Sequence, residues 1–111
     1  MKYRRIENAG IDVSIIALGC WQFAGGQMWG DQEERDSIAA VDAALDNGIT
    51  LFDTAEGYGN GTSEEVLGKA LSGKRSKAII ATKASGPTFG ADEMTSACEN
   101  SLRRLRTDHI D

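Results

Sequence analysis

The chain has 111 residues, of which 41% are hydrophobic and 26% are charged, and it contains a single proline. These proportions are ordinary for one globular unit over residues 1–111 without an internal boundary, and they exclude a disordered or fibrous chain. The net charge is −5, and two basic clusters lie where helices are expected to end and the helix dipole favours cations, which argues against a nucleic-acid partner.

The first half of the chain predicts a hairpin, a strand and a helix. "KYRRI" and "IDVSI", separated by "ENAG", predict an antiparallel hairpin, and "SIIALG" predicts a buried strand. Apolar residues then recur at helical spacing between Asp31 and Asn47, with Asp31 as the expected N-cap and Gly48 as the stop. These apolar residues are Ile38, Val41, Ala44 and Leu45.

The second half continues the alternation of strands and helices. "ITLF" and "AIIATK" predict strands, and Thr62 with Glu65 has the spacing of a capping box, which predicts a helix over about residues 63–71. A last helix is expected over about residues 91–105, and "HID" looks like the start of a fourth strand. That helix places four apolar residues on one face: Met94, Cys98, Leu102 and Leu105. The alternation predicts right-handed βαβ units and a parallel sheet.

Unusual residues follow three of the predicted strands. Trp21 follows "ALGC", Asp53 follows "ITLF" and Lys83 ends "AIIATK". Ligands and chemistry collect at the carboxyl ends of parallel strands, and strands about 4.8 Å apart allow Asp53 and Lys83 to form an ion pair. Tyr58 lies five residues beyond Asp53 in a glycine-rich loop that can fold back over the pair.

These residue types suit proton transfer to a carbonyl oxygen. A free tyrosine has a pKa of about 10, and a nearby ammonium favours the phenolate and makes the proton easier to give up. Lys83 would supply that charge, Asp53 would hold the lysine in place, and Tyr58 would donate the proton that a carbonyl needs when it receives a hydride.

Each candidate also has a purely structural explanation. A lone aspartate after a strand is commonly a turn former, a tyrosine in a loop is commonly packing, a lysine at a strand end is commonly solvated, and Trp21 suits a lid on the core. The glycines of residues 57–61 lack the Gly-Lys-Ser/Thr ending of a phosphate-binding loop and run into two glutamates, so a phosphate cradle is disfavoured. His109, the single histidine, precedes a predicted strand and is expected at the surface.

The stretches "FDTAEGYGNGTSEEVLGKAL", "AIIATK" and "ENSLRRLRTDHID" resemble the aldo-keto reductase family, and "ALGCWQFAGGQMWG" is similar to the opening loop of its bacterial members. The resemblance implies an α/β fold, the TIM (β/α)8 barrel, with NADPH as hydride donor and small aldehydes or ketones as substrates. It implies Asp53, Tyr58 and Lys83 as catalytic residues and Trp21 as a residue of the substrate pocket. It leaves the cofactor-binding residues of this chain unknown and implies no metal.

The resemblance also implies missing parts. The family's catalytic histidine ends the fourth strand, beyond Asp111, and His109 is not its counterpart. Such a barrel needs roughly 250 residues, so we expect this chain to cover the hairpin and about the first three β/α units. Alone it is expected to be inactive, and to self-associate or to need the missing barrel portion.

The sequence leaves two alternative functions open and indicates a cellular location. Lys83 is also compatible with a Schiff-base aldolase, and the fold is compatible with a non-catalytic binding subunit or a self-associating barrel fragment. Cys20 and Cys98 match no metal or redox spacing, the N-terminus carries no apolar signal segment, and no run of 18 apolar residues is present. We therefore expect a cytoplasmic protein with reduced thiols and no membrane partner.

Overall fold

An antiparallel hairpin opens the chain in this computed structural model, which describes residues 1–86 and 90–111. Strand β1 (Tyr3–Ile6) pairs with β2 (Ile11–Ser14), as the sequence predicts. The buried Ser14 hydroxyl oxygen accepts the backbone N–H groups of Thr50 and Leu51, at 3.0 and 3.2 Å. The hairpin is thereby anchored to the start of the next sheet.

That sheet is parallel, in the order β3-β4-β5. Its strands are β3 (Ala17–Gly19), β4 (Leu51–Asp53) and β5 (Ile79–Ala81). Phe52 and Ile80 are fully buried on the face that the helices cover, whereas the alternate positions point to the other face. The expected parallel sheet is confirmed.

The sequence predicts that "SIIALG" forms a buried strand. A strand does form at Ala17–Gly19, but it is not buried. Ala17 and Gly19 are exposed and Leu18 is half-buried. Among the described residues β3 pairs only with β4, so its outer edge and one of its faces lack a covering element.

Helices connect the strands and cover one side of the sheet. They are α1 (Gly26–Trp29), α2 (Glu34–Asp46), α3 (Thr62–Ala70) and α4 (Ala91–Leu105), with 3-10 turns at Trp21–Ala24 and Arg75–Lys77. Helix α3 packs between α2 and α4, and the core includes Cys20, Val41, Phe52, Leu67, Ile80 and Leu105. Within the described ranges, none of these helices has the length and apolarity needed to cross a bilayer.

Both predicted N-terminal caps are wrong. Helix α2 begins at Glu34, and the extended Glu33 before it makes no side-chain cap. Helix α3 is preceded by Gly61, whose φ of 94° is left-handed, and the Thr62 hydroxyl donates to the carbonyl of Gly59 at 2.7 Å. The tight glycine turn therefore satisfies Thr62 locally, in place of a capping box with Glu65.

Helix α4 has the predicted bounds but only its second half is packed. Met94 and Cys98 are exposed, Leu102 is half-buried and Leu105 is buried. The predicted fourth strand does not form, although the backbone N–H of Asp111 donates to the carbonyl of Ile80 at 3.2 Å. The end of the described chain thus runs beside β5 without strand geometry.

Candidate active site

An ion pair lies at the carboxyl edge of the parallel sheet. Asp53 is the last residue of β4, and Lys83 lies two residues beyond the end of β5. The Lys83 ammonium donates to Asp53 Oδ1 at 2.5 Å and to the carbonyl of Thr54 at 2.9 Å. The pairing that strand parity predicts is therefore present.

The surroundings of Lys83 keep its side chain charged. Partial burial is the largest influence and lowers its pKa, but the hydrogen bond and charge of Asp53, with a further contribution from Tyr58, outweigh it. The pKa of Lys83 is consequently raised above its ordinary value. A protonated ammonium is thus a fixed feature of this edge near neutral pH.

Tyr58 lies beside the ion pair in the loop after β4. Its half-buried ring has the Lys83 ammonium 5.2 Å from its centroid. The Trp21 ring stacks on it with centroids 5.5 Å apart and an interplanar angle of 21°. Trp29 packs edge-on against Trp21, also at 5.5 Å.

The structure therefore brings all four predicted residues into one cluster. Trp21 is 43% exposed, so it is not the core lid that the structural alternative offers. Sequence reasoning missed Trp29, because its contact with Trp21 depends on how the chain folds through α1. The signal that could have identified it is a second tryptophan eight residues after the first, in a glycine-rich stretch.

Buried hydroxyls fix the loop that carries Tyr58. Thr54 and Ser63 are fully buried, and their hydroxyl oxygens are 2.9 Å apart. The Ser63 hydroxyl donates to the carbonyl of Cys20 at 2.6 Å, and its backbone N–H donates to the carbonyl of Tyr58 at 3.2 Å. Both ends of the loop are thereby tied to the segment that leads into Trp21.

Cys20 lies under the site but is not poised as a nucleophile. Its backbone N–H donates to the carbonyl of Asp53 at 2.8 Å. Burial, with the charge of Asp53 and against the opposing charge of Lys83, raises the pKa of its thiol to about 12. Because the thiolate is the reactive form, this cysteine is inert at neutral pH.

The glycines after Tyr58 serve close packing. A Cβ on Gly59, whose φ is +61°, would lie 2.7 Å from the Cβ of Ala24. His109 lies at the other end of the sheet, where the Arg75 side chain donates to the carbonyls of both His109 and Ala78. His109 is thus remote from the cluster, as expected.

An α/β chain with an Asp-Lys-Tyr cluster at the carboxyl edge of parallel strands has its polar groups where (β/α)8-barrel enzymes place their active sites. The sequence model of the aldo/keto reductase family matches residues 15–111. The chain belongs to this family.

Proteins of related sequence support this family assignment. The chain is 46% identical over 121 aligned positions to the aldo-keto reductase YhdN of Bacillus subtilis, covering 100% of this chain and 36% of the relative. It is 39% identical to the methylglyoxal reductase YeaE of Escherichia coli, covering 100% of this chain and 38% of the relative.

A solved Klebsiella pneumoniae aldo-keto reductase, in complex with NADPH, superposes with a TM-score of 0.84 at 36% identity. The alignment covers 100% of this chain and 38% of that one. The chain thus spans less than two fifths of the length of these relatives. The expected fold class is confirmed: the hairpin and three β/α units correspond to the N-terminal portion of a (β/α)8 barrel.

Proposed function

We propose that residues 1–111 supply the proton-donating part of an NADPH-dependent reductase that converts aldehydes or ketones to alcohols. One observation carries the proposal: Asp53, Lys83 and Tyr58 converge at the carboxyl edge of the sheet, with the lysine 2.5 Å from the aspartate and 5.2 Å from the tyrosine ring. Membership of the family supports the same chemistry.

The residues divide the work by their charges. Asp53 holds the Lys83 ammonium, and the ammonium lowers the cost of leaving negative charge on the neighbouring phenol. Tyr58 then transfers its hydroxyl proton to the carbonyl oxygen as the carbonyl carbon receives a hydride, and the product is an alcohol.

The sheet edge at Tyr58 suits the hydride-donating part of NADPH. When bound, NADPH supplies the hydride. The half-exposed Lys83 and Asp53 leave the sheet edge open above Tyr58, which suits the approach of a carbonyl and a hydride donor. Lys83 and Arg104 are both paired with carboxylates, so neither is available for the cofactor's phosphates.

Trp21 is proposed as a wall of the substrate pocket. Its indole stacks on Tyr58 and remains accessible, so a carbonyl at the tyrosine hydroxyl would lie against it. Trp21→Ala is expected to raise KM more than it lowers kcat, because packing around the substrate acts on ground and transition states alike.

The Schiff-base alternative is disfavoured by the state of the lysine. An amine attacks a carbonyl only when it is unprotonated, whereas Asp53 keeps Lys83 protonated. The ion pair beside a tyrosine at an open sheet edge favours a catalytic role over that of a non-catalytic binding subunit. We also propose that the protein acts in the cytoplasm.

Replacement of Tyr58 tests the function directly. In the full-length protein carrying residues 1–111, NADPH oxidation with a reactive aldehyde is followed by absorbance, and Tyr58→Phe is expected to lower turnover at least about 100-fold. The chain offers a matched control in its other tyrosine, Tyr3, whose hydroxyl donates to the carbonyl of Gly48 at the hairpin. Near-parental turnover in Tyr58→Phe would refute the assignment.

A further inference from the structure

A buried carboxylate lies beneath the candidate active site. Glu64 on α3 is fully buried, yet nothing in the proton-transfer chemistry uses it. Both of its oxygens are bound: the Thr82 hydroxyl donates to Oε1 at 2.6 Å, and Arg104 Nε donates to Oε2 at 2.5 Å. A buried charge is costly unless it is paired, so the buried Glu64 carboxylate depends on Arg104 as its partner.

Arg104 also reaches a second carboxylate. Its Nη2 lies 3.6 Å from Oε2 of Glu56, two residues before Tyr58 in the loop after β4. The guanidinium therefore lies between a carboxylate of α3 and a carboxylate of the loop that carries the tyrosine. Arginine suits this position because its planar fork can face two acceptors at once.

The two carboxylates hold the chain on either side of Lys83. Glu64 binds the side chain of Thr82, which precedes the lysine. Glu56 Oε1 accepts the backbone N–H of Ser85 at 2.7 Å, and the backbone N–H of Glu56 donates to the carbonyl of Lys83 at 3.1 Å. The segment 82–85 is thus tied both to α3 and to the tyrosine loop.

The arginine side chain supports the end of the same loop. A Cβ on Gly61 would lie 2.5 Å from Arg104 Cδ, so the loop packs directly on the alkyl part of the arginine. Residues before and after Tyr58 therefore both contact Arg104.

We propose that Arg104 is a positioning residue of this site, which through Glu64 and Glu56 keeps the lysine segment and the tyrosine loop in register. It touches neither substrate nor cofactor. Its effect on turnover rests on the proposed function, whereas its effect on the position of Lys83 does not.

The first test measures Lys83 itself. The protein is treated with a small acylating reagent, and the labelling of Lys83 relative to the exposed Lys77 is measured by mass spectrometry. Arg104→Met is expected to loosen the ion pair with Asp53 and to raise relative labelling at least about threefold, since each unit of fall in the pKa of an amine multiplies its free form about tenfold. Arg103→Met is the matched control, because Arg103 is exposed and, among the described residues, its side chain bonds only to Asn100 of the same helix.

A milder variant covers the case in which Arg104→Met does not fold. Glu56→Gln keeps an oxygen for the Ser85 N–H and removes the charge that faces Arg104 at a position that is not fully buried. It is expected to raise Lys83 labelling in the same direction by a smaller factor. Unchanged labelling in a folded Arg104→Met protein, or in Glu56→Gln if the first does not fold, overturns the proposal.

Kinetics separate this proposal from the proposed function. In the full-length protein, Arg104→Met is expected to lower kcat by about 10- to 100-fold, as misplacement of reacting groups does, with a smaller change in KM. Arg104→Lys restores the charge without the fork and is expected to recover only part of the loss. If the parent protein oxidises no NADPH, the proposed function fails while the labelling result still decides the role of Arg104.

Discussion

Removal of Lys83 should separate catalysis from stability. The Lys83 and Asp53 side chains are 51% and 44% exposed, and an ion pair so accessible to water contributes only about 0–1 kcal/mol to folding. Its proposed catalytic contribution is larger: a loss of about 100-fold in turnover corresponds to about 2.7 kcal/mol of barrier. Lys83→Met is therefore expected to unfold at nearly the parental denaturant concentration and yet to reduce carbonyls at least about 100-fold more slowly.

The assay combines denaturant unfolding with NADPH oxidation across pH in the full-length protein. Asp53 raises the pKa of Lys83, so the parental activity should fall only at alkaline pH, where the ammonium loses its proton. That alkaline fall should be absent from the residual activity of Lys83→Met. The control is Lys77→Met, an exposed lysine in the turn before β5. An unchanged pH profile would refute the idea that the Lys83 charge assists proton transfer. A large loss of stability would refute the expectation that Lys83 matters for catalysis and not for folding.

Three further predictions rest on the packing of buried residues. At pH 8 a thiol reagent should modify the exposed Cys98 rapidly and Cys20 only on unfolding, because burial raises the pKa of the Cys20 thiol to about 12; equal rates would contradict this. Gly68→Ala, which ordinarily favours a helix, should here destabilise the protein by about 1–3 kcal/mol in denaturant titration, because a Cβ would lie 2.7 Å from the Leu105 backbone. Phe52→Ala should cost about 3–5 kcal/mol, since Phe52 is fully buried between the sheet and the helices; a loss below 1 kcal/mol would be incompatible with that burial.

The strands and helices were predictable because periodicity and turn residues act locally. Asp53 and Lys83 could be paired from sequence because parity places both on one face at the same sheet edge. The cap of α3 could not be predicted. The left-handed turn at Gly61 lets the Thr62 hydroxyl donate to the carbonyl of Gly59, so this hydroxyl does not form a capping box with Glu65. Local spacing alone does not distinguish two such ways of satisfying the same hydroxyl.

Of the Glu64–Arg104 pair beneath the site, only the glutamate could be identified from the sequence. Glu64 precedes the buried Leu67 and Leu71 by three and seven residues, so helical periodicity places it on the inward face of α3. That pattern is a signal of a buried carboxylate. Its partner Arg104 has no comparable signal, because the contact depends on the close approach of α4 to α3 at Gly68.

The chain of 111 residues by itself should not be a well-folded, active monomer. The sheet face opposite Phe52 and Ile80 carries Leu51 and Ile79, which are only half-buried, and Ala81, which is exposed. Among the described residues β3 and β5 each pair only with β4. Exposed apolar faces recruit partners, and open strand edges recruit strands.

Sedimentation velocity of the purified 111-residue chain over a range of concentrations should therefore show oligomers, or circular dichroism should show poor folding. The same sample should oxidise no NADPH with an aldehyde, since the histidine that the family resemblance implies at the end of a fourth strand is not among its residues. A variant with Ile79→Lys places a charge on the open face and should shift the oligomers towards smaller species, because a desolvated ammonium opposes burial of that face. A folded monomer that turns over NADPH would show that these three β/α units need neither a cover for this face nor further catalytic groups.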